Sequence, residues 1–234
     1  MPSSPVTTAR SASGPVTLAK TAAGDPRTTN YIPRGQNTYP MAARLPLWRV
    51  TRTARARRLY EWLAARGVTG ARMYQYVRDL DEGLPAPAPP ADVTLARESG
   101  ADAGLERLDG DLARDDTVVV ARSDDGGEAA GQVVVSVGRP VRVPPLGATV
   151  RTDGAYVWRL YVPPAHRGRG IATALVAAGA RAARERGADR AAALVATDNR
   201  PSQRVFEANG FEARTLHTYY RFRNATRRGR RRLR

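Results

Sequence analysis

The chain has no cysteine, a single lysine (Lys20) and only two histidines among 234 residues. The missing cysteine excludes disulfides, thiol nucleophiles and cysteine-based zinc sites. Two histidines are too few for a histidine metal cluster, so we expect no bound metal. No apolar run approaches the length of a membrane span, and the first residues lack the apolar core of a signal peptide. We therefore expect a cytoplasmic protein without membrane contact.

Acidic residues are scarce at both ends of the chain, whose net charge is +16. Residues 1–80 have 13 basic and 3 acidic side chains, and residues 221–234 have 8 arginines and no acid. The middle, 81–220, has 17 basic and 19 acidic side chains, so the body is close to neutral. We predict a disordered Arg-rich tail over 224–234. Such a tail can contact nucleic acid non-specifically; the alternative is a solvated tail.

The N-terminal region divides into three parts by composition. Residues 1–45 are rich in Ser, Thr, Ala, Pro and Gly and are predicted to be disordered. Residues 46–83 are predicted to form a short basic helical segment, with amphipathic helices over 52–65 and 71–80. Two short helices joined by a glycine turn suggest DNA binding, but we favour packing of their apolar faces on the next domain. Residues 84–91 form a Pro-rich linker.

The domain over 92–223 alternates strand-like and helix-like runs, which predicts an α+β fold built on a mixed sheet. The hydrophobic pattern predicts strands over 93–97, 117–122, 131–137, 155–162, 190–196, 212–216 and 218–223. It predicts helices over 99–112, 171–187 and from Asn199 to Asn209, a polar hairpin turn over 123–128 and a long loop through 140–147.

The most informative segment lies between the predicted strand at 155–162 and the helix that follows it. It runs Arg167-Gly168-Arg169-Gly170-Ile171-Ala172. A tight glycine turn that opens a helix presents several free backbone N–H groups, and the helix dipole adds partial positive charge. The two arginines can add charge-assisted contacts. The segment therefore predicts a site for a diphosphate.

Two common phosphate-binding motifs do not match this segment. A P-loop needs a lysine that the segment lacks. A dinucleotide fingerprint needs a third glycine where Thr173 stands. The pattern R-x-x-G-x-A is satisfied by Arg167, Gly170 and Ala172, and Leu160-Tyr161-Val162 precedes it. With these residues the chain resembles the coenzyme A loop of the GNAT N-acetyltransferase superfamily.

A second pattern downstream strengthens the resemblance. A strand is followed by Asn199, by Phe206 seven residues later, and then by Asn209-Gly210-Phe211. The resemblance implies a GNAT fold and transfer of an acetyl group from acetyl-CoA to a primary amine of a small molecule, a protein N-terminus or a lysine. It implies that acetyl-CoA is held by Leu160, Tyr161, Val162, Arg167, Gly168, Arg169, Gly170, Ile171, Ala172, Thr173, Asn199 and Phe206.

The chain departs from the family at the positions that carry acid–base chemistry. Many relatives have a tyrosine proton donor where this chain has Phe206, and the ribosomal-protein N-terminal branch often has a glutamate where this chain has Leu194. Tyr219 and Tyr220 resemble paired tyrosines near the acceptor site of N-terminal acetyltransferases, the branch closest to this chain. They are the candidate catalytic residues, and ordinary strand aromatics are the alternative. Arg159 slightly favours an anionic acceptor.

Two functions stay open at this point. The first is an acetyl-CoA-dependent N-acetyltransferase, for which the resemblance also suggests a homodimer, because many relatives are dimers. The second is a catalytically weak acyl-CoA-binding module whose basic ends bind nucleic acid.

Overall fold

The computed structural model describes residues 17–20, 68–81, 83–100, 112–124, 129–222 and 225–233. These residues form an eight-stranded sheet, a three-stranded sheet and two α-helices. The strands are β1 (Thr17–Lys20), β2 (Val68–Asp79), β3 (Val93–Ser99), β4 (Thr117–Ser123), β5 (Ala129–Val137), β6 (Val141–Val143), β7 (Ala148–Arg151), β8 (Ala155–Tyr161), β9 (Arg190–Ala196), β10 (Glu212–Phe222) and β11 (Ala225–Arg232). The helices are α1 (Ile171–Glu185) and α2 (Arg200–Ala208).

The large sheet has the strand order β11-β10-β2-β9-β8-β5-β4-β3. Neighbouring strands are antiparallel except β8 and β9, which are parallel and are connected through α1. The helices cover one face of the sheet, where Leu175 and Phe206 join a buried apolar cluster. The small sheet, in the order β1-β7-β6, covers the other face, where Val141 and Val150 pack with Tyr156. The mixed α+β sheet predicted from the sequence is confirmed.

Both helices end in the same hydrogen-bonded turn. After α1, Gly187 has φ +81°, and the N–H of Ala188 donates to the carbonyl of Ala183 at 3.1 Å. After α2, Gly210 has φ +73°, and the N–H of Phe211 donates to the carbonyl of Phe206 at 3.0 Å. These turns satisfy carbonyls that a helix end otherwise leaves unpaired and direct the chain into β9 and β10.

The helix predicted over 71–80 is wrong, because these residues belong to strand β2. β2 lies between β9 and β10 and pairs with both along most of its length. Ala71 and Met73 face the small sheet, whereas Tyr76 faces the helices. A central strand is apolar on both faces, so its sequence lacks the strict alternation that identifies a half-buried strand. The folded domain therefore begins ahead of the predicted boundary at 92.

The predicted disordered tail is also wrong, since residues 225–232 form strand β11. They pair with β10 over eight residues, from Phe222↔Ala225 to Thr215↔Arg232. The two strands predicted over 212–216 and 218–223 are one strand, β10, with an irregularity in its pairing between Ala213 and Thr215. The loop predicted over 140–147 contains β6 and a 3₁₀ turn, Pro144–Leu146, that leads into β7.

Several predictions fall on parts of the chain outside the described residues. These are most of the helix predicted over 99–112, the hairpin turn at 125–128, the helix over 52–65 and the disordered segment 1–45 apart from β1. In the described part of the chain, no helix is long and apolar enough to cross a membrane.

Candidate active site

The glycine turn predicted to bind a diphosphate lies between β8 and α1. Gly168 and Gly170 have φ of +78° and +82°, a conformation that glycine adopts without strain. A Cβ built on either residue would meet no atom within 4 Å, so both glycines face open space. Gly170 caps α1, whose first turn contains no acidic residue. The N–H groups of Ile171, Ala172 and Thr173 precede the first intrahelical hydrogen bonds and are free to bind an anion.

The two arginines of this turn already have partners. The Nε of Arg167 donates to the carbonyl of Val162 at 3.0 Å, which ties the turn to the end of β8. Arg169 forms an ion pair with Asp92, with 2.6 Å between Nη2 and Oδ2, and this pairing lowers the pKa of the Asp92 carboxyl. A bound phosphate would compete with Asp92 for Arg169. Sequence patterns had not identified Asp92, which lies 77 residues earlier.

A gap opens in the sheet beside this turn. β8 and β9 pair only at Ala155↔Ala191 and Tyr156↔Ala192. Beyond these pairs β8 remains paired with β5 up to Tyr161, and β9 remains paired with β2 up to Ala196. The two strands therefore diverge toward their carboxyl ends. The backbone groups that face the gap are available to an extended ligand with amide groups, and Leu160, Tyr161 and Val162 lie along it.

A bulge in β8 shapes the edge of this gap. Trp158 pairs with Val134 and Tyr161 with Gln132, so β8 has one residue more than β5 over this interval. Arg159, within the bulge, has φ +49°, the one positive φ of a non-glycine residue in the described part of the chain. Its guanidinium lies 5.2 Å from the centre of the Trp158 ring. Left-handed backbone at a non-glycine residue costs free energy and is concentrated at functional sites.

Helix α2 supports the glycine turn from the side. Asn199 caps α2, and its side chain accepts from the N–H of Ser202 at 3.3 Å. Asn209, at the end of α2, donates through Nδ2 to the carbonyl of Thr173 at 3.2 Å. This contact fixes the first turn of α1 to the end of α2. The sequence indicated only the stop at Asn209, and nothing in its pattern signalled the contact with Thr173.

Phe206 lies in the core rather than at an open surface. It is 4% exposed, is stacked on Tyr76 with 6.1 Å between ring centres, and meets Phe211 edge-on at 5.2 Å. Asn199 is engaged within α2. Asn199 and Phe206 therefore lie where they can position the glycine turn and the gap. The backbone groups that are open to a ligand belong to residues 160–173.

Tyr219 and Tyr220 point to opposite faces of β10. Tyr219 is 8% exposed and packs among Ala71, Leu146 and the rest of the apolar cluster under the small sheet. Trp158 of β8 and Leu194 of β9 pack against the same cluster from either side of the gap. Tyr220 is 45% exposed on the other face. Of the two tyrosines, Tyr219 therefore shares this apolar cluster with residues that flank the gap.

His217 lies two residues before Tyr219 on the same face and is 1% exposed. Its Nε2 donates to Gln75 Oε1 at 2.8 Å. Burial, and to a smaller extent the charge of Arg230, lowers the pKa of the imidazole to about 4. The ring is therefore neutral at pH 7 and is a structural hydrogen-bond donor. Within the described residues, no group of His, Asp or Glu side chains is placed to hold a metal ion.

A comparison with solved structures finds chains that are similar to this one. A Drosophila protein has 17% identity and a TM-score of 0.50, over 71% of this chain and 57% of that protein. A GCN5-related N-acetyltransferase from Sphaerobacter thermophilus has 19% identity and a TM-score of 0.43, over 77% of this chain and 57% of that chain. The chain thus spans little more than half of either protein. At 17% identity, the likeness to the Drosophila protein concerns the fold alone.

A search of curated proteins finds no match. A family model described as acetyltransferase (GNAT) family matches residues 73–211, which is more than half of the chain. The match begins within β2 and ends at Phe211, so it includes the glycine turn, the gap and helix α2. This chain belongs to the acetyltransferase (GNAT) family.

Proposed function

We propose that this protein transfers an acetyl group from acetyl-CoA to a primary amine. The observation that carries the proposal is the joint presence of a free helix N-terminus at Gly170 and a gap between β8 and β9. The first suits a diphosphate and the second suits an amide-containing arm. When bound, acetyl-CoA supplies an activated thioester. Membership in the family supports acyl transfer in general; the acetyl donor and the amine acceptor belong to the proposal.

The N–H groups of residues 171–173 would hold the diphosphate, and the backbone of Leu160 to Val162 would hold the pantetheine arm. The acceptor would approach from the face that carries Trp158 and Leu194, which flank the gap. Arg159 adds positive charge beside Trp158, so acceptors that have a carboxylate near the amine are favoured. The acceptor is a small molecule, a protein N-terminus or a lysine side chain.

Proton transfer needs a group other than the tyrosine that Phe206 replaces. Tyr219 is the candidate donor, because it belongs to the apolar cluster against which Trp158 and Leu194 pack beside the gap. A Cβ on Gly147 would lie 2.9 Å from the Tyr219 hydroxyl, so the glycine makes room for it. Arg228 covers the Tyr219 ring at 5.3 Å.

Binding is tested by titrating acetyl-CoA into the full chain in a calorimeter. Gly170→Glu should abolish binding, because it places a carboxylate and a strained residue at the helix N-terminus. Gly187→Glu is the matched control: Gly187 has φ +81°, meets no atom within 4 Å of a Cβ, and lies beyond the other end of the same helix. Equal loss of binding in both variants would contradict the assigned site.

Turnover is tested by release of free thiol with a panel of amines. The chain contains no cysteine, so a thiol reagent detects coenzyme A alone. Tyr219→Phe should lower kcat about 10²-fold or more and leave the Kd of acetyl-CoA unchanged. Binding without turnover on peptides, lysine, amino acids or small amines would support the binding-module alternative and refute the proposed activity.

A further inference from the structure

Strand β11 forms one exposed edge of the large sheet. All eight of its residues, Ala225–Arg232, are exposed, and five of them are arginine. An exposed edge strand normally risks pairing with other chains, and charge along it prevents this. Five cations within one strand also repel one another, so the edge is suited to a polyanion that neutralises them.

The two faces of this edge differ in their partners. On the face toward the small sheet, Arg228 donates to the carbonyl of Gly147 at 2.8 Å and covers Tyr219. On the other face lie Arg227 and Arg231, for which no carboxylate partner occurs among the described residues. No acidic residue follows Glu212 in the sequence, and Glu212 pairs with Arg214 at 2.6 Å. The second face is therefore cationic and open.

The same face carries exposed aromatic rings. Tyr220 is 45% and Phe222 61% exposed, and they are the exposed large hydrophobic residues of the described chain. Tyr220 is paired with Arg227 across the hairpin. Between the two arginines stands Gly229, where a Cβ would lie 2.6 Å from Thr218 Oγ1. The Thr218 hydroxyl therefore occupies the space between the two arginines and can donate to a phosphate held by them.

The hairpin cannot enter a DNA groove as a free two-stranded ribbon. β2 pairs with β10 as far as Phe222↔Val68, so a third strand follows the hairpin to its tip. The major groove, about 12 Å wide, admits two strands. An extended single strand can instead lie along the face, with its phosphates on the arginines and a base on a ring.

We propose that this face of the β10–β11 hairpin binds single-stranded nucleic acid. Arg227 and Arg231 contact phosphates, and Tyr220 stacks on a base. The proposal is independent of the acetyl-transfer activity, because the face lies opposite to the one that carries Tyr219.

The test measures binding of a fluorescent 15-nucleotide oligothymidylate or oligouridylate to the full chain at several salt concentrations. Arg227→Gln/Arg231→Gln should lower the slope of log K against log salt by about 1.4, since each phosphate contact contributes about 0.7. The matched control is Arg184→Gln/Arg204→Gln, two exposed arginines on α1 and α2, which removes the same charge. Tyr220→Ser should weaken binding at least about fivefold, and Tyr220→Phe should retain it.

Thermal unfolding of each variant verifies that the sheet is intact. Equal losses in the two double-arginine variants would overturn the proposal, because they would indicate diffuse charge rather than this face. The proposal would also be overturned, in favour of an acidic protein partner, if poly-glutamate bound with the same affinity as the oligonucleotide and Tyr220→Ser left that affinity unchanged. Tighter binding to duplex DNA than to single strands would overturn it as well.

Discussion

Substitution of Tyr76 tests whether β2 is a structural strand of the domain. Tyr76 is 2% exposed, stacks on Phe206 and meets Tyr74 edge-on with 6.5 Å between ring centres. Its hydroxyl donates to Glu207 Oε1 at 2.8 Å. Loss of a buried aromatic side chain costs about 3–5 kcal/mol. Tyr76→Ala should therefore remove a large fraction of a free energy of unfolding that is typically about 5–15 kcal/mol.

The measurement is urea unfolding followed by circular dichroism. Tyr76→Phe keeps the ring and removes the hydrogen bond, so it should cost about 1 kcal/mol. Tyr220→Ala, on an exposed ring, should change stability by less than about 0.5 kcal/mol. A cost below about 1 kcal/mol for Tyr76→Ala would show that the segment is an accessory to the domain, as its sequence pattern suggested, and would refute the central position of β2.

Three further predictions concern pH, ligand affinity and packing. The pKa of His217 is about 4 in the folded state, below the value of about 6.5 in the unfolded state. The free energy of unfolding should therefore decrease by on the order of 3 kcal/mol as the pH falls from 6.5 to 4. Thermal melts should show this fall, and His217→Gln should lack it. Asp92→Asn should tighten acetyl-CoA binding severalfold in calorimetry, because it releases Arg169; an unchanged Kd would mean that Arg169 does not reach the ligand. Gly131→Ala should cost about 1–3 kcal/mol in urea unfolding, because its Cβ would lie 2.9 Å from Leu175 Cδ1; a neutral effect would show that α1 can shift.

The sequence predicted best the elements whose signals are local. The strand before the glycine turn, the start of α2 at Asn199 and the stops at Gly187 and Gly210 each depend on a few neighbouring residues, and all are present in the structure. The glycine turn itself could be located because its positive φ angles require glycine at two positions, Gly168 and Gly170.

The features that sequence patterns missed depend on distant pairing. β2 has no alternation because both of its faces are buried, and only its partners β9 and β10 reveal it as a strand. β11 has a composition typical of disorder, yet its backbone pairs with β10 over its whole length. The contacts of Arg169 with Asp92 and of Asn209 with Thr173 join residues far apart in the chain, so no local pattern encodes them.

The place of β2 in the sheet has a consequence for biosynthesis. About 110 residues separate its last residue, Asp79, from the first residue of β9. At a typical rate of synthesis, about 5–20 residues per second, the strand leaves the ribosome on the order of ten seconds before either neighbour exists. Closure of this sheet is therefore a late and slow event governed by long-range contacts. Meanwhile an apolar segment without a partner is open to aggregation, so a chaperone that shields it during translation should raise the yield of native protein.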